Sequence, residues 1–282
     1  MEQELILPNP FSKGLRPKPE FKYEPSFLSL AKNVYATESG AIESDKFTRS
    51  FALNESAQIF PTSLGIFVLT STKLYSSTVG GALTELLTGL TAGGLWSCGD
   101  FGKYLVFTNG AVNLVRNITT GVFATDTGTV FPLAKTLCRF RGRLALGGPI
   151  NYPVTGDWSN RVAVSDIGSK KFANSTNLDV VRQNLSANFT MSWSGQVLRV
   201  MPLGHPNIIV YGDNGISALV SVGQYFRLTH LSDIGIKEQG AVCSNGCSNS
   251  STAHYFVDKA GYLCIITPDL AIKRLDYREY MA

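Results

Sequence analysis

The chain has 282 residues, of which 44% are hydrophobic and only 16% charged, and it carries a net charge of +4. That length holds one large β domain or two small ones, and the low charge density argues against a disordered protein. Lys and Arg are scattered, which departs from the clustered basic face of a dedicated nucleic-acid domain.

Residues 1–26 contain Pro8, Pro10, Pro17, Pro19 and Pro25. Proline removes a backbone donor and disfavours helix, so this segment is expected to be an extended N-terminal arm. It carries Leu5, Ile6, Leu7, Phe11, Leu15, Phe21 and Tyr23, more apolar side chains than a free linker needs. The arm is therefore expected to lie along its own domain or along a neighbour. The start, Met1-Glu2-Gln3-Glu4, lacks the basic and apolar regions of a signal peptide. No run approaches the roughly 20 apolar residues of a membrane span. The expectation is a protein made in a cytosol with Cys98, Cys138, Cys243, Cys247 and Cys264 as free thiols.

Residues 27–282 read as short strands separated by turn residues, which predicts one all-β domain. The best helix candidate, residues 81–90, is bounded by glycines and reads equally well as a turn followed by a strand. One unit recurs: an apolar strand, a tight turn, then a second apolar strand. Its copies are 65–69 with 73–75, 103–108 with 111–115, 142–147 with 161–165, 207–211 with 216–220, and 254–258 with 262–266. Asn109-Gly110 has the composition of a type I′ turn. Anchored at Ile66, Tyr104, Leu144, Ile208 and Tyr255, the copies are spaced by 38, 40, 64 and 47 residues. A four-stranded propeller blade needs roughly 40–50 residues. The spacing predicts a β-propeller-like fold of about five blades, with a two-sheet sandwich as the alternative. The long interval is read as a surface insertion or as the cover for a weak extra blade. Val34-Tyr35 and residues 47–51 are expected to complete the last blade as a closure strand.

Four runs carry a resemblance. They are Lys73-Leu74-Tyr75 with Leu86-Leu87-Thr88-Gly89-Leu90, then residues 96–110, then Phe140-Arg141-Gly142-Arg143-Leu144-Ala145 with 162–166, then 195–204 leading into 209–212 and 223–226. Over residues 57–282 the chain resembles phage tail propeller proteins, the family that includes nozzle and hub subunits of short-tailed phages. The resemblance implies a structural tail component (nozzle, hub, tail-tip or adaptor subunit) with no reaction of its own. Implied partners are other phage tail proteins and copies of itself, with incidental contact with passing DNA and no membrane span. The implied location is the virion tail, after synthesis in the host cytoplasm. Nozzle subunits are commonly larger, which leaves the position in the tail open.

Several residues have side chains suited to chemistry. Cys243 and Cys247, with His254 following, have an allowed spacing for zinc but lack a fourth ligand; they also read as a turn between strands. Asp100, Asp166, Asp213 and Asp258 sit near blade hairpins and would matter if two converged on a sugar, although Asp at strand ends is expected for backbone capping. That convergence is the basis of the alternative reading as a glycan-active propeller; a glycan-binding propeller, the other form of that alternative, predicts closely similar repeats with the same polar residues in each, and the copies here are more divergent than that. His205 and His230 lie beside turn-like segments without evident partners. Arg139, Arg141 and Arg143 would share one face of a strand as a short basic stripe. Residues 148–160 and 167–190 are expected as contact loops. No catalytic, cofactor-binding or metal-ligating residue is assigned, and the chain is read as a non-enzyme.

Overall fold

The computed structural model describes residues 34–36, 42–44, 53, 56–77, 82–101, 104–128, 131–150, 152, 156–168, 172, 187–223, 225–244 and 251–275. The arm at 1–26, residues 47–51 and Cys247 lie outside them. The chain divides into residues 1–52 with 282, and residues 53–281. In the first unit, β1 (Val34–Ala36) pairs antiparallel with β2 (Ile42–Ser44) in a sheet of their own. Val34-Tyr35 therefore does not serve as the closure strand expected for the last blade.

The second unit is a five-bladed β-propeller. Blade 1 comprises β3 (Gln58–Thr62), β4 (Gly65–Leu69), β5 (Leu74–Ser77) and β6 (Thr84–Leu87). Blade 2 comprises β7 (Ser97–Phe101), β8 (Tyr104–Thr108), β9 (Asn113–Asn117) and β10 (Phe123–Asp126). Blade 3 comprises β11 (Ala134–Phe140), β12 (Arg143–Pro149), β13 (Arg161–Val164) and β14 (Ala187–Thr190). Blade 4 comprises β15 (Val197–Leu203), β16 (Asn207–Gly212), β17 (Ile216–Val222) and β18 (Tyr225–Ser232). Blade 5 comprises β19 (Val242–Ser244), β20 (His254–Val257), β21 (Leu263–Ile266) and β22 (Ile272–Leu275). Every blade is an antiparallel meander in chain order. Residues 81–90 hold strand β6 at Thr84–Leu87 and no helix among their described residues, as the reading of a turn followed by a strand expects. Among the described residues the one helical turn is the 3-10 segment Gln239–Ala241.

The second strand of each blade explains why the sequence reads as continuous apolar runs. In blades 2 to 4 its side chains alternate between two faces, and each face meets a neighbouring blade. Leu105 and Phe107 pack toward blade 1 with Phe67 and Leu69, while Val106 packs toward blade 3 with Leu137 and Leu144. Ile208 and Val210 meet Ala145 and Val162 of blade 3, while Ile209 and Tyr211 meet Phe256 and Cys264 of blade 5. All six residues of β16 are buried for this reason. Each fully buried large side chain contributes about 1.5–3 kcal/mol. Such clusters join blades 1 to 2, 2 to 3, 3 to 4 and 4 to 5. Among the described residues none joins blade 5 to blade 1, and Tyr255, Val257, Leu263 and Ile265 on the far face of blade 5 are half-buried.

The 64-residue interval belongs to one blade. β12 pairs directly with β13 (Ala145↔Val164) and β13 with β14 (Val162↔Phe189), so the extra length is split between two connections within one blade, and the described residues hold no further blade there. The first connection also folds inward: Tyr152 and Trp158 are buried, with ring centroids 4.1 Å apart, in the cluster between blades 2 and 3. Asn109-Gly110 is not a type I′ turn. Gly110 has φ +86° and Asn109 is not in the left-handed region. Instead Asn109 Oδ1 accepts from the amides of Ala111 and Val112 at 2.9 and 3.0 Å, a side-chain-capped turn.

Candidate functional site

The first strands of successive blades lie beside one another, β7 next to β11 and β11 next to β15. Together with β3 they line a cavity of about 500 Å³, walled by residues 60–63, 98–100, 137–139 and 199–202. Three of these strands are tied together by side chains. Ser97 Oγ donates to Thr136 Oγ1 at 3.2 Å, and Thr136 Oγ1 accepts from the amide of Val200 at 3.3 Å. Arg199 Nη1 donates to Ser97 Oγ at 3.4 Å, a contact between residues 102 positions apart in the chain.

A β-bulge sets the direction of Arg199. Val197 pairs with Gly212 and Arg199 with Tyr211, leaving Leu198 without an opposite residue. In a regular strand Val197 and Val200, three apart, would face opposite sides. The extra residue lets both enter the apolar cluster between blades 3 and 4. Regular alternation would instead place Arg199 on the face of Val197, inside that cluster.

The charges lining the cavity are Arg199, Arg139 and Asp100. Burial pulls the Arg199 guanidinium below its usual range. Burial pushes the Cys138 thiol up to about 12, against the pull of Arg199, and raises the Cys98 thiol as well. Both sulfurs are therefore protonated at neutral pH and contribute no negative charge. Asp100 accepts from Ser63 Oγ at 2.5 Å. Arg139 is exposed. Gln239 approaches the strand starts, donating from Nε2 to the carbonyls of Leu95 at 3.3 Å and Lys135 at 3.0 Å. Lys135 Nζ donates to Gln196 Oε1 beside it.

The residues singled out from sequence have separate fates. The basic stripe does not form, because the chain turns at Arg141-Gly142 between β11 and β12, with Arg141 at φ +48°. Arg139 lines the cavity, Arg141 donates to Ser221 Oγ at 2.6 Å, and Arg143 is buried over the Phe226 ring at 5.7 Å. Of the four aspartates, only Asp100 reaches the cavity. Asp166 accepts from the amide of Ile167, Asp213 from that of Gln196, and Asp258 from that of Tyr262 while facing Arg274 at 3.4 Å. They cap hairpins and connections and do not converge. Cys243 pairs with Tyr255 and Ser244 with His254, so Cys243 and His254 point to opposite faces of blade 5. Both nitrogens of His254 are already hydrogen bonded, to Tyr211 and Pro202. Among the described residues no group of three or more His, Cys, Asp and Glu is arranged to hold a metal. No helix there is long and apolar enough to cross a membrane.

His230 does have partners, contrary to the sequence reading. Its Nε2 lies 2.9 Å from Asp233 Oδ1 and its Nδ1 lies 3.3 Å from Ser192 Oγ. Asp233, three residues on, was the signal. The order Ser–His–Asp is that of a hydrolase triad, but the Asp233 side chain is 96% exposed. Such a carboxylate is poorly held and screened by water, so the arrangement is an exposed surface contact with a hydroxyl neighbour. His205 is exposed on the turn before β16.

No protein-family model and no curated protein matches the sequence. Solved structures match it by shape. One is the extracellular domain of a protein described as a hybrid two component system of B. thetaiotaomicron, with a TM-score of 0.52 at 14% identity, covering 79% of this chain and 28% of that one. Another is the WD40 domain of Neurospora crassa Pan2, with a TM-score of 0.49 at 9% identity, covering 77% of this chain and 63% of that one. A third is BamB of Moraxella catarrhalis, with a TM-score of 0.46 at 12% identity, covering 80% of this chain and 66% of that one. The chain spans less than two thirds of the length of each. At 14% identity the likeness to the first of these is one of fold alone, and the chain's own five four-stranded meanders make it a five-bladed β-propeller.

Proposed function

We propose that this propeller is a structural subunit of a bacteriophage tail that works through contacts with other tail proteins and with copies of itself. The observation that carries the reading is the placement of exposed apolar side chains. In an antiparallel four-stranded blade, the turns joining strands one to two and three to four lie at the same end. At or beside those turns stand Ile118 and Val122 in blade 2, Ile167 in blade 3, and Val222 and Tyr225 in blade 4, exposed by 36, 64, 49, 58 and 59%. Three consecutive blades thus offer apolar groups from one end, a pattern that suits a protein-binding surface. The resemblance of residues 57–282 to tail propeller proteins supplies the setting. Three of the four aspartates that a glycan-active alternative needs are spent separately on capping, and Asp100 alone reaches the cavity, which weighs against it.

Light scattering on the purified full-length chain, alone and mixed with the products of neighbouring genes, tests the proposal. Association is expected, and it should weaken when Val222→Lys and Tyr225→Glu are combined. A chain that stays monomeric, joins none of those products and releases sugar in a glycan hydrolysis screen would overturn it.

A further inference from the structure

We infer that the cavity between the inner strands binds a small organic anion, its carboxylate or phosphate held by Arg199 and Arg139 and its apolar part against Phe60, Met201 and Pro202. This goes beyond the assembly role and does not rest on it.

A guanidinium has five N–H donors. Arg199 makes one hydrogen bond among the described residues, to Ser97 Oγ at 3.4 Å, at the weak end of the range. Neither Arg199 nor Arg139 takes part in an ion pair among the described residues. The remaining lining groups leave one positive charge in excess: Asp100, the one carboxylate of the lining, accepts from Ser63 and forms no ion pair with either arginine among the described residues, and Cys98 and Cys138 are neutral thiols. A cation drawn partly out of water without a counter-charge is unfavourable. The fold nevertheless directs Arg199 here through a bulge, at the expense of a regular β15–β16 ladder.

An anion would complete the arrangement. The planar guanidinium fork matches the paired oxygens of a carboxylate or phosphate. The cavity, about 500 Å³, is the size of a small-molecule site, and it combines a few polar groups with apolar walls as such sites do. The wall holds Phe60, Pro61, Leu137, Met201 and Pro202, which favours an organic body over a bare inorganic ion.

Calorimetric titration of the full chain with phenyl phosphate, benzoate, inorganic phosphate and benzyl alcohol, at matched ionic strength in chloride, tests this. Saturable one-site binding is expected for at least one organic anion, tighter than inorganic phosphate and absent for the neutral alcohol. The stronger of phenyl phosphate and benzoate assigns the anionic group. Arg199→Gln should weaken binding by about tenfold or more and Arg139→Gln by about threefold. Arg139 is exposed, so Arg139→Gln keeps the fold and decides the matter if Arg199→Gln does not fold. Binding unchanged in the folded variants, or no binding beyond chloride controls, overturns the inference. Association measured by light scattering is expected to be the same in both variants, so failure here is separable from failure of the assembly reading.

Discussion

Tyr211 of blade 4 and His254 of blade 5 are joined at 2.9 Å, phenol oxygen to Nδ1, with both side chains fully buried. The other ring nitrogen, Nε2, lies 2.9 Å from the Pro202 carbonyl oxygen. A carbonyl only accepts, so Nε2 carries the hydrogen and Nδ1 accepts from the tyrosine. The neutral imidazole is therefore the form that fits the seam between the two blades. Burial pulls its pKa from 6.5 down to about 4, against the opposing pull of the Pro202 carbonyl.

That depression makes stability depend on pH. Between pH 6.5 and about 4 the unfolded chain takes up a proton on His254 that the folded chain refuses. The contribution is intact above 6.5 and is lost as the pH falls through that window, by up to about 3 kcal/mol. Urea denaturation at pH 7.5, 5.5 and 4.5 should show this fall. His254→Gln, whose amide can also donate and accept, should flatten it; an equal slope in the variant would place the titration elsewhere.

Removing only the phenol oxygen isolates the hydrogen bond. In Tyr211→Phe the ring still packs against Phe256, 5.4 Å away between centroids. Nδ1 of His254 is left buried without a donor, at a cost of about 1–3 kcal/mol. The denaturation midpoint should drop with an unchanged slope. A change below about 0.5 kcal/mol would mean that the bond contributes little to the seam.

Trp193 is enclosed by two glycines. A Cβ on Gly212 would lie 2.2 Å from its ring, and one on Gly215 would lie 2.3 Å from it. Its Nε1 donates to Ser217 Oγ at 3.0 Å in a buried position. Gly212→Ala must push the indole aside, breaking that bond and opening the cluster between blades 3 and 4. About 3 kcal/mol of lost stability is expected, with a red shift in indole emission. Retained emission and stability would show that the indole has room the geometry does not suggest.

The repeat was legible because burial on both faces writes itself into one strand. Ile66, Tyr104, Leu144, Ile208 and Tyr255 fall in the second strand of blades 1 to 5, in order. What the pattern could not rank was depth: Ile209 is fully buried while Tyr104 is half-buried. Ile209→Ala should therefore cost about 2–5 kcal/mol and Tyr104→Ala clearly less, by chemical denaturation. The cavity was not legible. Its parts, Asp100, Arg139 and Arg199, come from three blades, and nothing local marks a first strand as the inner one. The bulge at Leu198 follows from how blade 3 packs on blade 4, which no window of sequence contains. The basic stripe failed because Arg141 takes a left-handed conformation that arginine does not advertise; Gly142 was the turn signal beside it.

The exposed pair Val222 and Tyr225 separates folding from assembly. They face each other across the turn between β17 and β18, with 58 and 59% of their surface open. Two lysines opposite each other would repel, so Val222→Lys is paired with Tyr225→Glu to keep an attractive cross-strand contact. Surface changes of this kind alter stability by less than about 0.5 kcal/mol. If the apolar end serves protein contacts, the melting temperature should stay put while association measured by light scattering weakens. A fall in stability of about 2 kcal/mol would mean that the two side chains support the blade itself. Unchanged association would remove this end of the propeller from the contact surface.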